Sequence, residues 1–80
     1  MIKLCDLLDV MDVQDTICLL EVGSIIEGNK RLLKAKVETI VYEKNENFNR
    51  IIEEYKNAKV LLIEQVFEGT NIYIKKKGVF

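Results

Sequence analysis

The spacing of apolar residues switches twice along the chain from helical to extended, and this alternation restricts the fold more than any other feature. Apolar residues recur at i, i+3, i+4 and i+7 in two segments, which predicts two amphipathic helices. The apolar stripes consist of Leu4, Leu7, Leu8 and Met11 in the first helix and of Phe48, Ile51, Ile52 and Tyr55 in the second. The first helix should run from about Lys3 to Met11, and Asn45 or Asn47 should cap the second.

Four further segments favour extended structure because they are β-branched, alternate apolar with polar residues, or both. They are Thr16 to Val22, Leu33 to Glu38, Lys59 to Phe67 and Asn71 to Lys75. Alternation in the second segment places Lys34 and Lys36 on one face, pointing away from the core. The pattern leaves two alternatives open for Thr39 to Tyr42, which could extend that strand or form a short turn of helix.

The elements follow the order α–β–β–α–β–β. This order predicts an α+β fold, either a small antiparallel sheet with helices on one face or a small, strongly curved partial barrel. A chain of 80 residues has room for one modest core, and no linker divides residues 1–80, so a single domain is expected. Residues 75–80 could form a C-terminal tail or dock on a neighbouring subunit.

Residues that usually carry catalysis are missing. The chain has no histidine, which removes the usual general base and the usual metal ligand. Cys5 and Cys18 lack the paired spacing of a zinc site, and no glycine-rich loop has a phosphate-binding pattern. Asp6, Asp9 and Asp12 share a helix face, but a solvated face explains them better, because hard-cation sites draw ligands from several elements. The sequence predicts no enzymatic activity, no metal and no cofactor.

The basic residues suggest a local binding patch. A net charge of −1, from 12 basic and 13 acidic residues, argues against general nucleic-acid binding. Lysine or arginine beside an aromatic ring can nevertheless neutralise a phosphate and stack a base. The candidate ligand-binding residues are Arg31, Lys34, Lys36, Tyr73 and Lys75. The alternative hypothesis is that such lysines protect a sheet edge from aggregation.

Self-association is expected from the segment Lys59 to Phe67, interpreted as a central strand that is apolar on both faces. One helix layer covers only one of those faces. Leaving three such side chains wet would forgo roughly 1.5–3 kcal/mol each, a loss that a two-fold dimer would avoid. The candidate interface residues are Val60, Leu62 and Val66 on one face and Leu61, Ile63 and Phe67 on the other.

The start of the sequence, Met1 to Lys3, does not resemble a secretory signal. The longest apolar run, Val60 to Ile63, is too short to span a bilayer. Cys5 and Cys18 lie among aliphatic neighbours, where a free thiol behaves as a small hydrophobic group. These features predict a reduced, soluble, cytoplasmic protein.

The segment from Ile2 to Asp12 resembles the Leu-x-Asp-Leu-Leu-Asp-Val helix of short accessory proteins of phages and prophages from clostridia and related bacteria. In those proteins an acidic turn leads into an apolar strand, here Thr16 to Val22. An asparagine-rich turn and helix, Asn45 to Tyr55, and a closing hairpin, Glu68 to Ile74, extend the resemblance over most of the chain. Every one of these motifs is structural, so no functional residue is carried over.

The resemblance implies a phage-encoded inhibitor of host anti-phage defence that works by binding in the host cytoplasm. It would either sequester a nucleotide second messenger or block a host effector protein. The alternative hypothesis is a homo-oligomeric structural or adaptor domain that binds another protein. Fold analogy alone justifies neither of the two inhibitor mechanisms.

Overall fold

A computed structural model of the chain describes residues 2–23, 28–42 and 45–75. The elements are α1 (Leu4–Val10), β1 (Thr16–Val22), β2 (Asn29–Lys36), α2 (Val37–Val41), α3 (Glu46–Tyr55), β3 (Val60–Val66) and β4 (Gly69–Lys75). The predicted α+β class is confirmed. Within these residues, no helix is long and apolar enough to cross a membrane.

The predicted order lacked one helix, α2, which includes most of the segment Thr39 to Tyr42 that the sequence left open. The β-branched residues of this segment favour a strand, but the turn before β1 supplies acceptors for the first N–H groups of a helix. The N–H of Val37 donates to the carbonyl oxygen of Asp15, and that of Glu38 donates to the carbonyl oxygen of Val13, each at an N···O distance of 2.9 Å. These tertiary bonds replace a capping side chain, so the propensity of the segment did not decide its structure.

The four strands form one open mixed sheet in the order β2-β1-β4-β3. β1 and β2 form an antiparallel hairpin, β3 and β4 form another, and β1 pairs with β4 in parallel. The expected antiparallel sheet or partial barrel is therefore not what forms. The segment containing α2 and α3 carries the chain from one hairpin to the other, and parallel neighbours need a crossover of that kind.

β3 is an edge strand, so the prediction that Lys59 to Phe67 forms a central strand is wrong. A β-bulge between Val60 and Leu62 also corrects the predicted faces of this strand. Val60 pairs with Ile74 on the covered face, whereas Leu62 pairs with Tyr73 on the other. Period-two alternation places these two residues together, and the extra residue of a bulge separates them.

One face of the sheet carries the core. The helices contribute Leu4, Leu7, Leu8, Val37, Ile40 and Tyr55, and the strands contribute Ile17, Leu19, Leu33, Val60, Ile72 and Ile74. Ile17, Leu19, Ile72 and Ile74, at the centre of the sheet, are all fully buried. Each such side chain contributes roughly 1.5–3 kcal/mol relative to exposure, so the centre of the sheet is the most strongly buried part of the fold.

Asn45 caps α3 as predicted, because its side chain accepts from N–H groups of the first turn at 3.0 and 3.2 Å. α1 has no capping side chain. Instead, the N–H of Leu4 donates to the carbonyl oxygen of Ala58, and that of Cys5 donates to the carbonyl oxygen of Lys56, each at an N···O distance of 3.0 Å. The connection between α3 and β3 therefore sets where α1 begins.

A buried polar contact joins α3 to β1. Tyr55 is buried, and its hydroxyl donates a hydrogen bond to the carboxylate of the half-buried Glu21. Burial first, and then the bond to this carboxylate, raise the pKa of Tyr55 far above its usual value. The contact orients the last turn of α3 over the sheet.

Gly69, the first residue of β4, lies against β1. Its φ is +150°, and a Cβ placed on it would lie 2.2 Å from the carbonyl oxygen of Thr16. Neither the conformation nor the space suits another residue. Glycine at this position is what allows the start of β4 to lie beside β1.

We predict that Gly69→Ala lowers the free energy of unfolding by at least about 2 kcal/mol, through steric overlap and backbone strain. Gly28→Ala is the matched control, because Gly28 also has a positive φ of +72° but nothing lies within 4 Å of its added Cβ. It should cost about 1 kcal/mol for the left-handed conformation alone. Urea denaturation measures both values, and equal losses would contradict the packing argument.

We predict that Tyr55→Phe costs about 1.5–3 kcal/mol of stability at neutral pH, because it removes a hydrogen bond to a charged group. The folded protein raises the pKa of Tyr55 above its ordinary value of 10.0, so this contribution is present below pH 10 and is lost as the pH rises beyond it. The difference between wild type and variant should therefore shrink in alkaline urea titrations. Tyr42→Phe is the control, since Tyr42 is 73% exposed; an equal effect of the two variants would refute the role of the buried contact.

Candidate functional site

The face of the sheet opposite the core, here called the outer face, carries no helix among the described residues. It is formed by Thr16, Cys18, Leu20 and Val22 of β1, Arg31, Lys34 and Lys36 of β2, Leu62, Glu64 and Val66 of β3, and Asn71, Tyr73 and Lys75 of β4. Arg31, Lys34 and Lys36 form a cationic row on the edge strand β2. Leu20 and Tyr73 lie beside this row and give the outer face apolar area. The outer face is therefore the surface on which a ligand can meet both charge and apolar area.

The cationic row consists of Arg31, Lys34 and Lys36, all exposed on β2. Lys34 donates to the carboxylate of Glu68 over 3.0 Å. This hydrogen bond, and then the positive charge of Lys34, lower the pKa of Glu68. Within the described part of the chain, Arg31 and Lys36 have neither an ion pair nor a side-chain hydrogen bond. Their donors are thus available to a ligand.

A small recess opens beside this row, between β2 and the turn that precedes β4. Its volume is about 80 Å³, and Cys18, Arg31, Lys34, Glu68 and Asn71 are among its lining residues. Pockets for whole cofactors or drug-sized molecules are roughly 300–1,000 Å³, and a water molecule occupies about 30 Å³ of liquid. The recess therefore suits a group of a few heavy atoms, such as one phosphate.

The structure divides the five predicted ligand-binding residues into two groups. Arg31 and Lys34 line the recess, and Lys36 lies farther along the same strand. Tyr73 and Lys75 lie on β4, with β1 in between. Arg31 and Tyr73 both pair with Leu20, so their backbones are two strand spacings, or about 10 Å, apart. The five residues share a face but do not form one compact site.

A hydrogen-bond network occupies the polar end of Tyr73. Its hydroxyl donates to Glu64 Oε1 at a distance of 3.1 Å, and the side-chain amide of Asn71 donates to the same oxygen at 3.0 Å. The bond to Glu64, followed by desolvation, raises the pKa of Tyr73. The ring is held toward β3, so Tyr73 offers its aromatic surface rather than a free hydroxyl group.

Cys18, Glu68 and Asn71 line the recess but were not among the predicted site residues. Alternation in β1 could have placed Cys18 on the outer face, because it lies between the buried Ile17 and Leu19. No pattern in the sequence shows that Glu68 meets Lys34. That contact depends on the parallel pairing of β1 with β4, which the predicted topology lacked.

The three aspartates at the start of the chain lie at the surface of the protein. Asp6, Asp9 and Asp12 are exposed, and no group of three potential metal ligands occurs among the described residues. Cys5 and Cys18 are both free and half-buried.

The candidate interface residues lie on and just after the edge strand β3. Leu61, Leu62, Ile63, Val66 and Phe67 are exposed, and Phe67, beyond the strand end, is completely so. Val60 is 7% exposed and belongs to the core, unlike the other five. Of the predicted tail, residues 75–80, only Lys75 is described, as the end of β4; the rest lies outside the described residues.

Comparisons with known protein families, with curated proteins and with solved structures find no match to this chain. The resemblance to phage accessory proteins is therefore an expectation from the sequence. Function has to be argued from the outer face and from the edge strand.

Proposed function

We propose that this chain is a non-enzymatic binding protein that holds a phosphate-bearing ligand on the outer face of its sheet. The observation that carries the proposal is the guanidinium group of Arg31, which has no side-chain partner within the described ranges and lies beside Lys34 at a recess of about 80 Å³. An arginine fork matches phosphate oxygens in a bidentate manner, and such charge-assisted bonds are the stronger kind.

Glu68 would compete with the ligand for Lys34. The pair is exposed on both sides, with side-chain exposures of 43% and 72%, and an exposed ion pair holds its partners weakly. A phosphate with two or more negative oxygens can displace the Glu68 carboxylate from Lys34 while Arg31 binds the same phosphate from the other side. Binding should therefore weaken as salt concentration rises.

A nucleotide fits this surface better than free phosphate. The recess is too small for a base, so the base would lie outside it, over Leu20 and toward the ring of Tyr73. Base–aromatic stacking contributes about 1–3 kcal/mol, and Leu20 supplies the apolar area between the two groups. Sequestration of a nucleotide second messenger, as the resemblance implies for a phage inhibitor of host defence, would use this arrangement.

Release of the ligand intact is part of the proposal. The acid at the recess, Glu68, has its pKa lowered by Lys34, so it stays ionised and paired and is poorly suited to donate a proton. The chain also has no histidine to act as a general base. A bound nucleotide would be held, not hydrolysed.

A second candidate function is that of a homo-oligomeric structural or adaptor domain, favoured by the exposed apolar side chains of β3. Contiguous exposed apolar patches of several hundred Å² usually mark interaction sites. The partner would be another copy of the chain or, in the case of an inhibitor, a host effector protein. The two candidates use different surfaces, so they can hold together or fail separately.

We predict that Arg31→Ala weakens nucleotide binding at least tenfold, since a hydrogen bond to a charged group contributes about 1.5–3 kcal/mol. Calorimetric titration with inorganic phosphate, a mononucleotide and a cyclic dinucleotide measures the effect. Lys30→Ala is the matched control: it removes the same charge from the same strand, but Lys30 pairs with Glu21 on the covered side. Glu68→Gln should instead tighten binding, because it frees Lys34.

Three results would contradict the proposal. The wild-type protein could bind none of the three probes, or Arg31→Ala and Lys30→Ala could weaken binding equally. The probe recovered after heating the complex could also be cleaved in proportion to incubation time. The first two outcomes reject the site, and the third rejects the non-enzymatic role.

A further inference from the structure

The two edges of the sheet differ in how they are protected. An edge strand presents unpaired N–H and C=O groups on alternate residues, and proteins commonly guard such edges with charged side chains. The edge strand β2 carries Lys30, Arg31, Lys34 and Lys36. The edge strand β3 has the sequence Val-Leu-Leu-Ile-Glu-Gln-Val, with Glu64 as its one charged residue. The outer edge of β3 is the unguarded one.

Beyond the first residues of β3, the described part of the chain leaves this edge unpaired. Val60 donates to the carbonyl oxygen of Ile2 over 3.0 Å, and Lys3 forms an isolated bridge with Lys59. From Leu61 onward the strand pairs with β4 alone among the described residues. Its exposed apolar side chains project from both faces, since Leu62 pairs with Tyr73 and Ile63 with Ile72.

We propose that two copies of the chain pair through β3, edge to edge and antiparallel across a two-fold axis, to form one continuous sheet twice as wide. This inference rests on the self-association proposed above and specifies its surface. Pairing would satisfy the free backbone groups of both edges. It would also bring Ile63 of each copy against an apolar side chain of the other.

A second copy is the occupant that this edge fits best. Apart from Glu64 the strand is uncharged, so an identical strand offers a matching, mostly apolar surface. Like charges directly opposite each other destabilise a sheet, which disfavours an axis at Glu64. An axis at Ile63 or Gln65 avoids this, because Glu64 then faces Leu62 or Val66 of the second copy.

The pairing also closes on itself. A two-fold contact between β3 strands uses both unguarded edges and leaves the cationic β2 strands at the two ends, where their charges oppose further addition. A contact between β3 of one copy and β2 of the next would repeat without limit and produce fibres. The guarded β2 edge thus favours a dimer over a filament.

Sedimentation velocity of the full chain over a range of micromolar concentrations, with the variants Ile63→Lys and Val41→Lys, tests the proposal. The two replaced side chains are equally exposed, at 45% and 46%, but only Ile63 lies on β3. We expect a dimer for the wild type and for Val41→Lys, and a folded monomer for Ile63→Lys. Leu62→Glu should act in the same way from the opposite face of the strand, because it places a second carboxylate opposite an acidic residue of the other copy; circular dichroism checks the fold of each variant.

Hydrogen exchange of the wild type provides a measurement that needs no variant. Amide exchange in β3 should slow as the concentration rises through the range in which the dimer forms, whereas exchange in β2 should not change. A folded wild-type monomer at every concentration overturns this inference and self-association together. A dimer in which β3 exchange is unchanged, or which Ile63→Lys and Leu62→Glu leave intact, overturns pairing through β3 and leaves self-association standing.

Discussion

The parallel pairing of β1 with β4 is the contact on which the rest of the structure depends. In each hairpin alone, β1 or β4 is left unpaired along one edge, and the two hairpins become one sheet only where these strands meet. The fully buried Leu19 and Ile72 lie opposite each other at this junction. Gly69 allows β4 to begin against the backbone of Thr16. The helices then cover a surface that neither hairpin has by itself.

The sequence was sufficient for six of the seven elements and insufficient for their arrangement. Helical spacing predicted α1 and α3, and Asn45 and Asn47 were the two alternative caps predicted for the second of these, because these signals are local. The segment Thr39 to Tyr42 could not be assigned, since acceptors at Val13 and Asp15 decide its helix. Strand order and the bulge at Leu61 depend on contacts between distant residues, which period-two alternation does not record.

The candidate site divides in the same way. Arg31 and Lys34 were predicted from alternation on β2, and they do line a recess. Glu68 reaches this recess from a turn beyond β3, which no local pattern reveals. The opposite error concerned β3, whose apolar sequence was taken as evidence of a central position. In the structure the same residues form an edge strand, so most of their apolar side chains are exposed to solvent.

The crossover between β1 and β4 also determines how the chain can fold. The edge of β1 that pairs with β4 stays unpaired until β4, the last described strand, has been added. Non-local parallel contacts of this kind close a long loop and are slow to form. During synthesis the first hairpin would leave the ribosome with Ile17 and Leu19 unprotected, and transiently open apolar strands are prone to misassembly. The lysines of β2 would then keep the other edge of that hairpin from aggregating while the second half of the chain is made.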